Sequence, residues 1–351
     1  MNPKGLFAAE VLDQCRRSMA ADVLARHVES EPGALATLAT LGLGEATAIV
    51  ESSLACLAEA VATEREALFV HDVSWRHAVV RARKVPSEHV TNGLEAMLGA
   101  VVESLPPAVV PRVRAVVQTA LDDLSSMPAT LPSCLPAGSL RATAQNYLLA
   151  VLENRPDRAW GVLEAALRQG VPGDDLVRDV LMATQAEVGR MWQLDELSIV
   201  EEHMASEIAE SCLARVYQSR PTPKPLGRRV LAASVAGDLH RVGPRWLSLA
   251  FATAGWEVVA LGADLPHDEL AHAVVEFDVD AVCLAATMVT NVRRVAHAVA
   301  SVRSASVRRR PVVLVGGLPF RLVDDLWQVV GADVTAADPI AAVGAAASAL
   351  A

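Results

Sequence analysis

The stretch RVLAASVAGDLHRVGPRWLSLAFATAGWEVVALG, residues 229–262, decides the fold. It opens on a short apolar run, continues as PRWLSLAFATAG with apolar residues at three-to-four spacing, and returns to the short apolar run WEVVALG. The order is strand, helix, strand, and short strands without alternation belong to parallel sheets buried on both faces. Between the first strand and the helix lies GDLHRVG, residues 237–243. A plain strand-to-helix turn needs one glycine and a cap, so a second Gly, an Asp and a His in this heptad call for another reason.

Working toward the C-terminus, VDAVCLAATM, PVVLVGG and ADVTAA read as further strands, and HDELAHAVVEF and VRRVAHAVASV as helices. The alternation predicts a Rossmann-like, doubly wound parallel sheet over residues 228–351. Ligands of such sheets bind outside the carboxyl ends of the strands, where Asp238 and His240 fall. A lone His in such a loop is usually incidental, but here Gly243 permits close approach of a ligand. Asp238, two residues before His240, can take the second imidazole proton and set the tautomer of a metal-ligating His. No G-x-G-x-x-G follows the first strand, which excludes a dinucleotide fingerprint. The clustered acidic residues and late Lys of a cofactor-free receiver domain are missing as well.

Asp238, His240 and Gly243 spell Asp-x-His-x-x-Gly, and in this the chain resembles the cobalamin-binding domain family. The resemblance implies that His240 replaces the dimethylbenzimidazole base as the lower axial ligand of cobalt. Leu239, Arg241 and Val242 are the remaining members of the motif expected at the corrinoid. The displaced nucleotide tail of the family threads a slot lined by Ser-x-Leu or Ser-x-Thr after a later strand and Gly-Gly after the next. Here those positions hold Ala285, Thr287, Gly316 and Gly317, and LGADLP at 261–266 is also similar to the family. Ala285 lacks the usual Ser hydroxyl, a loss of one hydrogen bond worth ~1 kcal/mol net.

Upstream, SSMPATLPSCLPAGS at 125–139 reads as a linker and RPTPKPLGRR at 220–229 as a stiff spacer. Between them four amphipathic runs with short joints predict a four-helix bundle over residues 140–219. Its segment MWQLDELSIVEEH sets Trp192, nine residues, then Glu202 and His203. That spacing resembles the light-sensing cobalamin regulators of the CarH type, where it lies over the upper face of adenosylcobalamin. An indole can stack beside a 5′-deoxyadenosyl group, and Glu202 and His203 can hydrogen-bond its ribose and adenine. In the CarH type a His follows the Trp and takes the cobalt after photolysis; this chain has Gln193 there.

Residues 1–130 are helical in pattern throughout, with breaks at ESEPG, KVPSE and LPPAVVP. The expected class is a globin-like sensor. FVHDVSWRHAVVRARKVPSEHVTNGL, residues 69–94, gathers His71, Trp75, Arg76, His77, Arg81, Arg83, Lys84 and His89. Imidazoles and guanidinium groups suit the pyrroles and propionates of a bilin such as biliverdin; equally, they can be a solvated face and ordinary core. A helical sensor ahead of a CarH-like cobalamin unit resembles the photocobilins, which bind cobalamin and biliverdin together.

The chain has 351 residues, a formal charge of −10 and five Cys at separated positions, which argues against a zinc ribbon or a disulfide framework. No run of apolar residues is long enough to cross a bilayer, and a cytoplasmic location is expected. Residues 1–130 have no strand pair, recognition helix or basic face, so direct DNA binding is not expected. The reading as a whole is a multidomain α and α/β photoreceptor rather than an enzyme, its output passing through a light-dependent homo-oligomer or a downstream signalling protein. Its rivals are a corrinoid carrier for a methyltransferase and a light-independent cobalamin sensor.

Overall fold

The structure, a computed structural model, describes residues 1–31, 33–35, 42–83, 85–86, 88–128 and 130–351. The chain divides into two compact units. The first comprises Met1–Leu131, Ala286–Ala300 and Val315–Asp333, the second Pro132–Ala285, Ser301–Leu314 and Val334–Ala351. The expected segments 1–130 and 140–219 each fall within one unit, whereas 228–351 contributes to both.

In the first unit lie helices α1 (Pro3–Gln14), α2 (Arg16–Ser30), α3 (Leu43–Thr63), α4 (Ala67–Ala82), α5 (Glu88–Ser104) and α6 (Val110–Asp123); α1, α2, α4 and α6 pack against α3, and α5 packs against α2 and α6. Asn2 caps α1 by accepting from Lys4 N at 2.9 Å, ahead of Pro3, whose missing N–H costs nothing there. From Ser53 to Thr63 every residue of α3 is buried. A Cβ on Gly5 would stand 2.6 Å from Val61 O, so glycine lets α1 approach α3 closely. Helix α3 has the length and apolarity of a membrane span, but 67% of its apolar window is buried within the protein.

One break lies outside ESEPG, KVPSE and LPPAVVP: the chain turns at Glu64, which adopts a left-handed φ of 58°, and α4 then runs unbroken from Ala67 to Ala82. The loops after the later strands also join this unit. Arg293 pairs with Asp13 at 2.7 Å and with the buried Glu59 at 3.1 Å, and Arg65 pairs with Asp325. These ion pairs tie the C-terminal segments of the first unit to its helices.

In the second unit, helices α7 (Arg141–Leu152), α8 (Pro156–Arg168), α9 and α10 (Ile199–Gln218) share one core built on Tyr147, Leu163, Leu176, Leu181 and Leu213. Helix α9 comprises Gly173–Asp175, a π-helical stretch Leu176–Met182 and Ala183–Gln193. Ser198 opens α10 with a full capping box: its Oγ accepts from Glu201 N, and the Glu201 carboxylate accepts from Ser198 N at 2.7 Å. Helix α11 (Val242–Thr253) joins the same core through Val242 and Trp246, whose indole donates to Tyr217 OH at 2.8 Å.

The five strands are β1 (Arg229–Val235), β2 (Glu257–Leu265), β3 (Ala281–Ala285), β4 (Val312–Gly316) and β5 (Val334–Thr335), in the order β2-β1-β3-β4-β5. β1 runs parallel to both β2 and β3. Val312 N donates to Asp280 O and Ala286 N to Gly316 O, start to start and end to end, so β4 is parallel as well. Helices His267–Phe277, Val292–Ser304 and Pro339–Ala349 alternate with the strands. This is the doubly wound order whose switch point lies between β1 and β3, and it delivers the segments after those two strands to the place where such folds bind ligands.

Candidate functional site

The chain leaves β1 at Val235 and turns through Gly237 at φ 78°, with Asp238 N donating back to Val235 O at 3.0 Å. Asp238 is then wholly buried, while the side chain of His240 is half exposed. One oxygen, Asp238 Oδ1, accepts from His240 Nδ1 at 2.7 Å and from His240 N at 3.2 Å. A proton held on Nδ1 leaves the Nε2 lone pair for a metal. The Asp238 hydrogen bond raises the His240 imidazole above its ordinary pKa against the pull of burial, and the Glu202 charge adds to the rise.

A residue that sequence reading passed over braces this loop. Asp264 adopts φ 57°, accepts from Gly237 N at 2.6 Å and donates its own N to Asp238 O at 3.1 Å. LGADLP was its signal, noted as a run without a role for the Asp. Gly243, the second residue of α11, has nothing within 4 Å of a built Cβ, so neither backbone conformation nor protein packing demands glycine there. Leu239 is 72% exposed. A metal-ready imidazole on a buried carboxylate, an exposed aliphatic beside it and a glycine with clearance are the features that a flat apolar macrocycle with a central metal needs, and the residues fit that group.

Helix α10 is tied to the same loop. Arg241 pairs with Glu207 and, at 3.0 Å, with Glu210. Glu202 accepts from His203 Nδ1 at 2.7 Å and from Ser206 Oγ at 3.0 Å. Trp192, at the end of α9, is 44% exposed and Gln193 follows it. Ile199 and Val200, at the start of α10, are exposed too, so this end of the helix carries apolar surface with polar groups one turn on. The second unit thus contains both Trp192, Glu202, His203 and the His240 loop.

Ala285 closes β3, and Thr287 follows two residues later. In register, Ala285 pairs with Ser234 of β1. Ser234 is buried, and its Oγ has no hydrogen-bond partner among the described residues. A hydroxyl is therefore present one strand over from the position where the family pattern wants it. Gly316 ends β4 and Gly317 follows at φ 114°, where a Cβ would stand 1.9 Å from Ala286 O. Here glycine is a structural requirement.

The N-terminal unit holds an apolar cavity of about 180 Å³. Of the residues picked out between 69 and 94, Arg76, Arg83 and His89 line it; His71, Trp75, His77 and Arg81 are not among the described lining residues, and Lys84 lies outside the described residues. The reason is helical rotation: Val73, Arg76, Val80 and Arg83 repeat on one face, while His71 and Trp75 share another, their rings in edge contact at 6.3 Å. His77 is buried and Arg81 exposed. Asp72 pairs with Arg76 at 2.8 Å and Glu45 with Arg83 at 3.2 Å, so both guanidinium groups are already balanced. The lining gains His27 from α2, whose imidazole burial pushes below its ordinary pKa.

Residues 228–344 match a family model described as B12 binding domain, and residues 143–217 match a second model of the same description. The trimethylamine corrinoid protein of Methanosarcina barkeri is 27% identical over 204 residues, covering 56% of this chain and 93% of that protein. The HTH-type transcriptional repressor CarA of Myxococcus xanthus is 38% identical over 88 residues, 25% of this chain and 30% of that protein. Among solved structures, the monomethylamine corrinoid protein of Methanosarcina barkeri superposes with a TM-score of 0.52 at 19% identity, over 60% of this chain and all of that one. The last match is one of fold. Together these matches make residues 143–217 and 228–344 cobalamin-binding segments.

Proposed function

We propose that this chain, in which residues 143–217 and 228–344 are B12-binding segments, is a cobalamin-dependent photoreceptor that takes adenosylcobalamin with His240 as the lower ligand. The observation that carries the reading is the buried Asp238 holding Nδ1 of a half-exposed His240, in the unit that also contains Trp192, Glu202 and His203. When bound, adenosylcobalamin supplies a cobalt–carbon bond that light breaks. The chain's part is to hold and to respond. Asp238 keeps the imidazole in the ligating tautomer, Asp264 braces the loop, and Leu239, Arg241, Val242 and Gly243 form its rim.

Trp192 offers the adenosyl group a stacking surface, and Glu202 and His203 offer hydrogen bonds. Ala285, Thr287, Gly316 and Gly317 belong to the nucleotide-tail slot, with Ser234 supplying the hydroxyl that Ala285 lacks. Helix α10 is the responsive element, since Arg241 ties it to the His240 loop and Trp192 and Glu202 flank its start. A change beside Trp192 repacks it and alters an interface with a second copy or a downstream protein. The segments 1–130, 140–219 and 228–351 serve as sensor, cap and cobalamin domain. Biliverdin binds in the first unit, where the cavity of about 180 Å³ lined by Arg76, Arg83 and His89 has to widen, and the Asp72 and Glu45 pairs have to open, to take it.

The test is reconstitution of the full chain in the dark with adenosylcobalamin and biliverdin, with absorption spectra before and after illumination. The reading requires a red band from the bilin and a light-dependent change in the corrin bands. A second reading, favoured by relatives named as corrinoid proteins, is a corrinoid carrier serving a methyltransferase. It requires turnover of methylcobalamin with a methyl donor's enzyme and no change in oligomeric state on illumination.

A further inference from the structure

His27 lies in the last turn of α2, and Glu31 immediately follows that helix. His89 lies in the first turn of α5, which packs against α2. His89 Nδ1 stands 3.5 Å from His27 Nε2 and 3.1 Å from Glu31 Oε2, and the three candidate ligand atoms all lie within 4.8 Å of one another. An ion bound tetrahedrally at about 2.0–2.1 Å sets its ligand atoms about 3.3–3.5 Å apart. The two separations at His89 Nδ1 lie close to that spread, and the third is within 4.8 Å.

Without an ion the cluster is poorly satisfied. The Glu31 carboxylate takes the His89 Nδ1 proton, and the facing His27 Nε2 is left with another imidazole nitrogen at a distance too long for a good hydrogen bond. The two rings meet edge to face, 5.6 Å between centroids at 68°. His27 is only 9% exposed, so solvent makes up little of the deficit, and its other nitrogen, Nδ1, has no partner among the described residues. One turn after His89, Asn92 Nδ2 donates to Glu31 Oε2 at 2.9 Å and fixes the carboxylate, the outer-sphere support that ligating carboxylates normally have.

We propose that His27, Glu31 and His89 are the protein ligands of a divalent transition-metal ion of the zinc class. Two imidazoles and one carboxylate are a borderline donor set suited to zinc. Three protein ligands leave a further coordination position to water or to a small ligand, as in zinc sites that bind rather than only brace. The assignment is independent of the cobalamin reading, but His27 and His89 also line the cavity given to biliverdin, so metal and bilin would compete for these two side chains.

The experiment is calorimetric titration of the metal-stripped, tag-free full chain with zinc chloride. One equivalent should bind, His89→Ala and Glu31→Gln should each weaken that binding by at least about tenfold, and Asn92→Ala should weaken it less. His272→Ala, an exposed imidazole on another helix, should leave it unchanged. Absence of stoichiometric uptake, or uptake indifferent to His89→Ala and Glu31→Gln, overturns the proposal. Should those variants fail to fold by circular dichroism, zinc-edge X-ray absorption of the wild-type protein decides. Two imidazole nitrogens and a carboxylate oxygen at about 2.0–2.1 Å support the site, and a sulfur-containing or single-imidazole shell refutes it.

Discussion

Asp238 Oδ1 lies 2.7 Å from His240 Nδ1 and 3.2 Å from His240 N, so one buried carboxylate fixes both the ring and the main chain of a half-exposed imidazole. Burial of the acceptor is what gives the contact its leverage. The carboxylate is cut off from water, whereas the imidazole it holds remains half exposed.

Asp238→Asn keeps the side-chain volume but replaces an obligate acceptor with a group that can donate. The His240 tautomer is then no longer enforced. Cobalamin affinity should fall by about 10- to 100-fold, the usual cost of losing such outer-sphere support. Titration followed by corrin absorbance measures it, and an unchanged affinity would show that the dyad does not serve cobalt.

The two glycines of the pattern should separate. At Gly317 a Cβ would collide with Ala286 O at 1.9 Å and the φ is 114°, so Gly317→Ala should lower stability or prevent folding even with no corrinoid present. Gly243 has clearance for a Cβ. Gly243→Ala should leave the melting temperature of the cobalamin-free protein unchanged while weakening cobalamin binding. Equal behaviour of the two variants would contradict this division of roles.

Trp246 donates its buried indole N–H to Tyr217 OH, which in turn donates to Asp174 Oδ1 at 3.0 Å. Tyr217→Phe removes both bonds and leaves the indole unsatisfied, at about 1–3 kcal/mol. A urea midpoint followed by tryptophan fluorescence should shift down accordingly. No shift would mean that the helix α10–α11 contact is held by apolar packing alone.

Glu59 supplies the pH dependence. Burial pushes its carboxyl up to about 7 from an ordinary 4.5, against the pull of Arg293. Between those values the folded chain holds a proton that the unfolded chain has lost, so this group's contribution makes stability decline as pH rises from 4.5 to about 7. Glu59→Gln should flatten urea midpoints across that window. A variant whose midpoints fall as steeply as those of the wild type would exclude Glu59 as the source.

What sequence disclosed depended on range. GDLHRVG could be read because Asp238, His240 and Gly243 act within one turn of chain, and HDELAHAVVEF because apolar spacing alone bounds a helix there, now seen as His267–Phe277. The turn at Glu64 carries neither Gly nor Pro, so nothing local announced it. The imidazoles and guanidinium groups of 69–94 looked like one site because linear proximity hides helical rotation, which sends Arg76 and Arg83 to the cavity and His71 and Trp75 elsewhere. His27 and His89 meet across 62 residues, and Ser234 meets Ala285 only through strand register. Such pairings exist only once the helices and strands are packed.

The most direct test of the central claim is the absorption spectrum of the adenosylcobalamin-loaded protein, wild type and His240→Ala, in the dark and after illumination. The wild type should show a histidine-ligated corrin that changes on illumination, while His240→Ala should bind weakly or retain the cofactor's own base. A His240→Ala protein with wild-type spectra, or a wild-type spectrum unmoved by light, would contradict the account.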